Sequence, residues 1–231
     1  MLPLDSASSR PIVFFDLDLT LLSENSAHLW LRRARRKKLV SNWTAFQGIV
    51  WVSLYHLGFG HIEQALSKGV KTLRGLKEAD LEEATKDFWN EEVHETIRED
   101  GKRAVEKHRA QGDRCVLLTS SSVYLARLAQ QEFGLDDALS TMFEVVDGTL
   151  TGLVKGEICY GFGKLHYAQA YARSKDVALS DCTFYTDSYS DLPVLQKVGH
   201  PVVVQPDPRL RRYALRHGWP LANWDTDQRN E

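Results

Sequence analysis

A chain of 231 residues is long enough for one α/β domain, or for one domain carrying a sizeable insertion. Apolar residues make up 43 % and charged residues 26 %, a composition that excludes a disordered or collagen-like chain. With 29 basic against 31 acidic residues the formal charge is −2, so no overall field points to nucleic acid or to an anionic membrane. Cys115, Cys159 and Cys182 are odd in number, far apart and without a CxxC pair. That argues against a disulfide framework or a zinc site, and for a reducing, cytoplasmic setting. The first ten residues are mixed and polar, without the apolar stretch of a secretion signal.

Taken in chain order, Ile12 to Phe15 is a continuous apolar run between Pro11 and Asp16, which predicts a buried parallel strand. Residues 24–101 are rich in helix formers and contain no convincing strand, so they predict a helical insertion. Within it, Arg32 to Lys38 reads as a solvated basic face or as a contact with an anionic surface. The aromatic-rich stretch Trp43 to Phe59 is marginal in length for a membrane span. It reads as the insertion's own core or a dimer contact, with a helix resting on a bilayer as the sharper reading. Glu82, Glu83, Glu91 and Glu92 read as an exposed helical face, and the scattered histidines form no metal-spaced pair.

Strands then follow at Arg114 to Leu118, Thr183 to Thr186 and Pro201 to Val204, with helical patterns at Val123 to Phe133 and Lys164 to Ser174. Asp147-Gly148, set between short apolar runs from Phe143 to Val154, predicts a hairpin turn. Strands alternating with helices predict an α/β fold, a doubly wound parallel sheet with an inserted α-helical domain. The expected division is a core of residues 1–23 and 102–231 and a helical domain of residues 24–101. The insertion should cover the carboxyl edge of the sheet, where such sheets bind ligands.

Four motifs fall at that edge. Asp16-Leu17-Asp18-Leu19-Thr20 follows the first strand, and its i, i+2 carboxylates can share a site with the amides of their own loop. Acidic residues at strand ends also serve as plain turn and cap residues. Thr119-Ser120-Ser121 ends the second strand, where hydroxyls either cap a helix or bind an anion. Lys164 opens a helix after Gly161-Phe162-Gly163 and offers a point charge to phosphate or carboxylate. Thr186-Asp187-Ser188-Tyr189-Ser190-Asp191 brings two more carboxylates after the third strand. Four converging carboxylates need a cation, and oxygen-only ligation selects magnesium rather than zinc.

Asp-x-Asp-x-Thr, a strand-ending Thr, a helix-opening Lys and Asp-x-x-x-Asp, in this order, resemble the haloacid dehalogenase superfamily. The insertion after the first motif and the stretch Val146 to Gly152 resemble its phosphoserine-phosphatase-like branch, which has a helical cap. The resemblance spans Pro11 to about Pro206. It implies a magnesium-dependent phosphatase acting on a small phosphorylated metabolite. Asp16 would be the nucleophile and Asp18 the general acid and base. Magnesium would be held by Asp16, Asp187 and the main-chain oxygen of Asp18, with Asp191 acting behind them. Leu17, Thr119, Ser120 and Lys164 would bind the phosphoryl oxygens.

Phosphoserine phosphatases carry a cap glutamate, whose place falls on Asn25 with Glu24 beside it, and a cap arginine, whose place falls on Gly69. Glu24 and Asn25 are the expected substrate contacts, and phosphoserine becomes an alternative substrate. Three further readings compete: a lipid-phosphate phosphatase at a membrane surface, a phosphotransferase, and a non-catalytic phospho-accepting or binding module. A monomer or homodimer is expected, with no nucleic-acid partner and with peripheral membrane contact not favoured.

Overall fold

In β1 (Ile12–Phe15) all four side chains are buried. Side chains alternate across a strand, so Ile12 and Phe14 enter one apolar layer and Val13 and Phe15 the other. A strand covered on both faces belongs in the middle of a sheet. A computed structural model, which describes residues 10–37 and 62–224, puts β1 there. β2 (Arg114–Ser122) and β6 (Thr183–Thr186) flank it in parallel, with Phe15 opposite Leu117 on one side and Tyr185 on the other. β3 (Asp137–Thr141) lies outside β2, and β7 (His200–Val204) and the short β8 (Leu221–Ala222) lie beyond β6. The order is β3-β2-β1-β6-β7-β8, parallel throughout.

α4 (Glu99–Ala110) and α5 (Val123–Phe133) pack on the layer of Val13 and Phe15. α6 (Phe162–Ser174), α7 (Leu192–Leu195) and α8 (Pro208–His217) pack on the layer of Ile12 and Phe14. The sheet is therefore doubly wound, as its alternating pattern predicts. From β1 the chain builds outward through β2 and β3, then returns to the other side of β1 and builds outward through β6, β7 and β8. This reversal opens a crevice at the carboxyl ends of the central strands. β3 and β8 are missing from the sequence expectation. β3 has two apolar residues among its five, and β8 is too short to show a period. The three cysteines are free and buried.

β4 (Phe143–Val146) and β5 (Thr149–Val154) form a separate antiparallel pair. Asp147 and Gly148 both have positive φ, 50° and 70°, as a two-residue type I′ turn requires. The helical segment supplies α1 (Ser26–Arg36), α2 (Ile62–Lys71) and α3 (Glu78–Phe88) among the described residues. It docks on the hairpin through its backbone. The Gly75 N–H donates to the Leu150 carbonyl, the Leu150 N–H to Leu76 and the Glu78 N–H to Gly148, each at 2.9 Å. The segment's two ends run side by side, with the Ser23 N–H on the Thr96 carbonyl at 2.7 Å and the Arg98 N–H on Leu21 at 2.9 Å. α4 crosses the 101/102 division expected from sequence.

Two expectations about charge need correction. Arg33, in the basic run, is not solvated: its guanidinium is buried and pairs with Glu91 and, at 3.2 Å, with Glu92. Glu92 is correspondingly covered and is not part of an exposed acidic face, whereas Glu82 and Glu83 are exposed. These pairs tie α1 to the turn at residues 89–93. Lys38 and the stretch Trp43 to Phe59 lie outside the described residues. Among the described residues no helix is long and apolar enough to cross a membrane.

Phe14 is fully buried in the central strand. Phe14→Ala should cost about 3–5 kcal/mol through lost burial and the cavity left behind. Urea denaturation should show this as a lower midpoint with an unchanged slope.

Candidate functional site

Three of the four motifs meet at the crevice through one lysine. Lys164, in the first turn of α6, is buried, and its Nζ donates to Asp16 Oδ1 at 2.8 Å and to Asp191 Oδ2 at 2.8 Å. The approach of α6 depends on a glycine. A Cβ on Gly163 would lie 2.0 Å from the Ile158 carbonyl oxygen, so no other residue fits there without moving the helix start.

Asp16 leaves the end of β1, and its N–H donates to the Tyr185 carbonyl at 2.9 Å, which extends the pairing of β1 with β6 by one residue. That pairing brings Asp16 beside Thr186 and Asp187 at the end of β6. Asp187 is buried and accepts the Thr20 hydroxyl at 3.3 Å. Asp191 is fully buried. Its Oδ2 accepts both Lys164 and the Thr186 hydroxyl, the latter at 2.7 Å.

Asp18 lies at a junction between the helical segment and the core. The loop turns sharply, with the Leu22 N–H on the Leu17 carbonyl at 2.9 Å and Leu19 held at φ 59°. A left-handed leucine is strained by about 1–3 kcal/mol, which the surrounding packing must offset. Asp18 Oδ1 accepts the N–H of Ser26, first residue of α1, at 2.7 Å, and Oδ2 accepts the Ser121 hydroxyl at 3.2 Å.

Thr119 is buried at the end of β2, where its register to β3 shifts after Leu118, and its Oγ1 accepts the Ser121 N–H at 3.2 Å. The cap of α5 is Ser122, not Thr119. The Ser120 carbonyl accepts the Thr141 hydroxyl at 3.1 Å. The residues expected at the substrate are engaged elsewhere. Asn25 caps α1, its Oδ1 accepting the Ala27 and His28 N–H groups, and Glu24 is exposed and pairs with Arg32 at 3.3 Å. Sequence reasoning missed Ser121, Ser26 and Thr186 as partners of the carboxylates. The one available signal was their place within one or two residues of a motif, as hydroxyl residues at strand or helix ends.

Burial is the largest influence on the acids. It raises Asp16 to about 7 from an ordinary 3.8, opposed by Lys164 and assisted by Asp191 and Asp18. It also drives Asp187 well above the carboxylate range, with Asp16 and Asp191 adding to the effect. For Lys164 burial favours the neutral amine, but Asp16 and Asp191 outweigh it and hold the ammonium charged. One buried ammonium thus faces three buried carboxylates.

This donor set fits a divalent cation. The donors are all oxygen, and Asp191 Oδ1 is buried with no hydrogen-bond partner among the described residues. No trio of His, Cys, Asp or Glu side chains among the described residues forms a cage. Magnesium requires none, because it keeps several waters and takes one or two carboxylates.

Raised carboxyl pKa values mean that the folded, metal-free protein binds more protons than the unfolded chain between pH 3.8 and about 7. The stability from Asp16 and Asp187 is therefore full below that window and is lost as pH rises through it. Magnesium competes with those protons. Its gain in melting temperature over EDTA-treated protein should be small near pH 5 and larger at pH 8. An equal gain at both values would contradict this electrostatic picture. Gly163→Ala should lower both melting temperature and activity, by displacing the helix that carries Lys164.

The haloacid dehalogenase-like hydrolase family model matches residues 13–196. The chain is 29 % identical over 216 residues to a phosphoserine phosphatase of Mycobacterium tuberculosis, covering 91 % of this chain and 70 % of that protein. It is 28 % identical over 220 residues to a histidinol-phosphatase of Neisseria meningitidis, covering 93 % of this chain and 99 % of that one. The solved structure of a Bordetella pertussis protein of unknown function matches with a TM-score of 0.84 at 26 % identity, covering 94 % and 99 % of the two chains.

Proposed function

The chain belongs to the haloacid dehalogenase-like hydrolases and is a phosphomonoester hydrolase, and on that premise we propose that it cleaves a small phosphorylated metabolite through an aspartyl phosphate on Asp16. The supporting observation is the Lys164 ammonium, 2.8 Å from carboxylates that lie 175 positions apart at the outer ends of the motif set, Asp16 and Asp191. A buried carboxylate beside a fixed cation can approach an anionic phosphorus without the repulsion that two bare anions would meet.

In the first step an Asp16 carboxylate oxygen attacks phosphorus in line, and the bond to the substrate's alcohol oxygen breaks. Asp18 gives its proton to that leaving oxygen. In the second step Asp18 takes a proton from water, which attacks the same phosphorus and frees inorganic phosphate and Asp16. The Ser121 hydroxyl can donate to Asp18 as carboxylate or accept from it as acid, so one contact serves both halves of the cycle. The Ser26 N–H holds the other oxygen.

Lys164 and Thr119 bind the transferring oxygens, with the amides that follow Asp16, Leu17 among them, and the Ser120 segment. Asp16, Asp187 and the Asp18 main-chain oxygen would hold magnesium, with Asp191 orienting them from behind. The ion would neutralise charge on the phosphoryl oxygens. Residues 24–101 act as a cap over the crevice. Phosphoserine and histidinol phosphate, the substrates in the names of two relatives, are the first compounds to test.

Asp16→Asn should reduce p-nitrophenyl phosphate turnover by about 10³-fold or more, as loss of a nucleophile does. EDTA should abolish wild-type activity, and magnesium should restore it. Full turnover in the variant, or activity without metal, would defeat the mechanism. Lys164→Ala should fold yet lose most turnover, and near-normal rates would remove Lys164 from the site.

A further inference from the structure

A second cavity lies on the far side of the loop that carries Asp187 and Asp191. It has a volume of about 440 Å³, within the range of small-molecule sites. The start of α6, the loop at residues 188–190, α7 and the start of α8 line it. Phe162 stands at its rim with 69 % of its surface exposed, although it opens the helix that carries the buried Lys164. An aromatic ring so exposed beside a cavity is a stacking platform without a use in the fold.

The polar character of the cavity is one-sided. The Arg209 guanidinium lies over the Tyr189 ring, 4.3 Å from its centroid. Lys197 is exposed and has no ion-pair partner among the described residues. The one acidic wall residue, Asp207, is already engaged by backbone donors. Its Oδ1 accepts the Arg209 and Leu210 N–H groups at 2.7 and 3.0 Å, and its Oδ2 accepts the Tyr189 N–H at 2.5 Å. Arg211, Arg212 and Arg216 on α8 are exposed and add to the positive field. A neutral apolar ligand would leave these cations without a role, and a cationic ligand would be repelled.

We propose that this cavity binds a small planar aromatic anion, its ring against Phe162 and Pro193 and its negative group toward Arg209 and Lys197. The site also reaches the catalytic crevice. Asp207 receives Tyr189 through its side chain, and its own N–H donates to the Asp187 carbonyl at 2.9 Å. An occupant that presses on Tyr189 and Arg209 therefore bears on the backbone of Asp187. The site stands whether or not Asp16 is the nucleophile, because binding is read without turnover.

Calorimetric titration of the full chain with 2-naphthoate tests the proposal, with 2-naphthylmethylamine as the cation of similar shape. Naphthoate should bind with one-to-one stoichiometry and the amine should not. Phe162→Ala and Lys197→Glu should each weaken naphthoate by roughly fivefold or more while leaving the melting temperature and p-nitrophenyl phosphate turnover unchanged. Binding should persist with inorganic phosphate in excess, which places it outside the catalytic crevice. Equal affinity in both variants, competition by phosphate, or equal binding of the amine would overturn the assignment. So would a concentration-dependent doubling of mass with no heat from naphthoate, the result expected if a second copy of the chain fills the cavity.

Discussion

A buried ammonium shared between two carboxylates is the constraint around which the crevice is built. Lys164 comes from α6, Asp16 from β1 and Asp191 from the turn after β6, so one cation ties together three separate stretches of chain. Burying an unpaired charge costs several kcal/mol, and a pair recovers that cost only when the geometry is good and the remaining hydrogen bonds are made. Thr186 supplies one of them, donating to the same Asp191 oxygen that receives Lys164. The arrangement still leaves an excess of negative charge, since Asp187 adds a third buried carboxylate beside Asp16. A fold selected for stability alone would not assemble that excess. It is tolerable in a site that takes up cation and phosphate in turn, which is the chemistry proposed.

The topology makes the meeting of these groups local. β1, β2 and β6 are adjacent and parallel, so residues just beyond their carboxyl ends fall together although they lie more than 160 positions apart in sequence. The apolar faces of β1 then hold the site rigid from beneath. Phe14 and Phe15 anchor the strand in opposite layers, and Asp16 is the next residue along. Small errors in strand position would be transmitted directly to the proposed nucleophile, and close packing on both faces suppresses them.

Much of this is legible in the sequence because the chemistry is concentrated in short motifs at strand ends. Asp16, Asp187, Asp191 and Lys164 are each flagged by an apolar run that stops at a polar residue, and the structure brings all four to one crevice. What sequence does not supply is the pairing of neutral groups. Ser121 and Ser26 are ordinary hydroxyl residues at the ends of β2 and α1, and only the loop turn at Leu19 directs Asp18 between them. Arg33 and Glu92 mislead for a related reason. A run of like charges gives no sign of which member faces inward until the partner element is known, and here that partner is a turn about 60 positions away. β3 escapes because a strand flanked by only one neighbour carries fewer apolar residues than a central one.

The proposed substrate contacts show where motif reasoning gives out. Asn25 stands where the resemblance expects an acidic substrate ligand, yet its side chain closes the first turn of α1. That substitution changes what α1 does. Instead of presenting a carboxylate to the substrate, the helix presents its own amino end, through the Ser26 N–H, to Asp18. The positive end of a helix favours negative charge nearby, so α1 and Asp18 hold each other across the junction of cap and core. Arg33, eight positions from Asn25, fixes the other end of the same helix to the turn that leads back into the core. α1 is thus fastened at both ends by charge, once to a proposed catalytic residue and once to the returning chain. Any substrate that displaces the Ser26 contact must offer Asp18 something better, and the leaving oxygen of a phosphomonoester, which takes up a proton as its bond to phosphorus breaks, does so only at the moment of reaction.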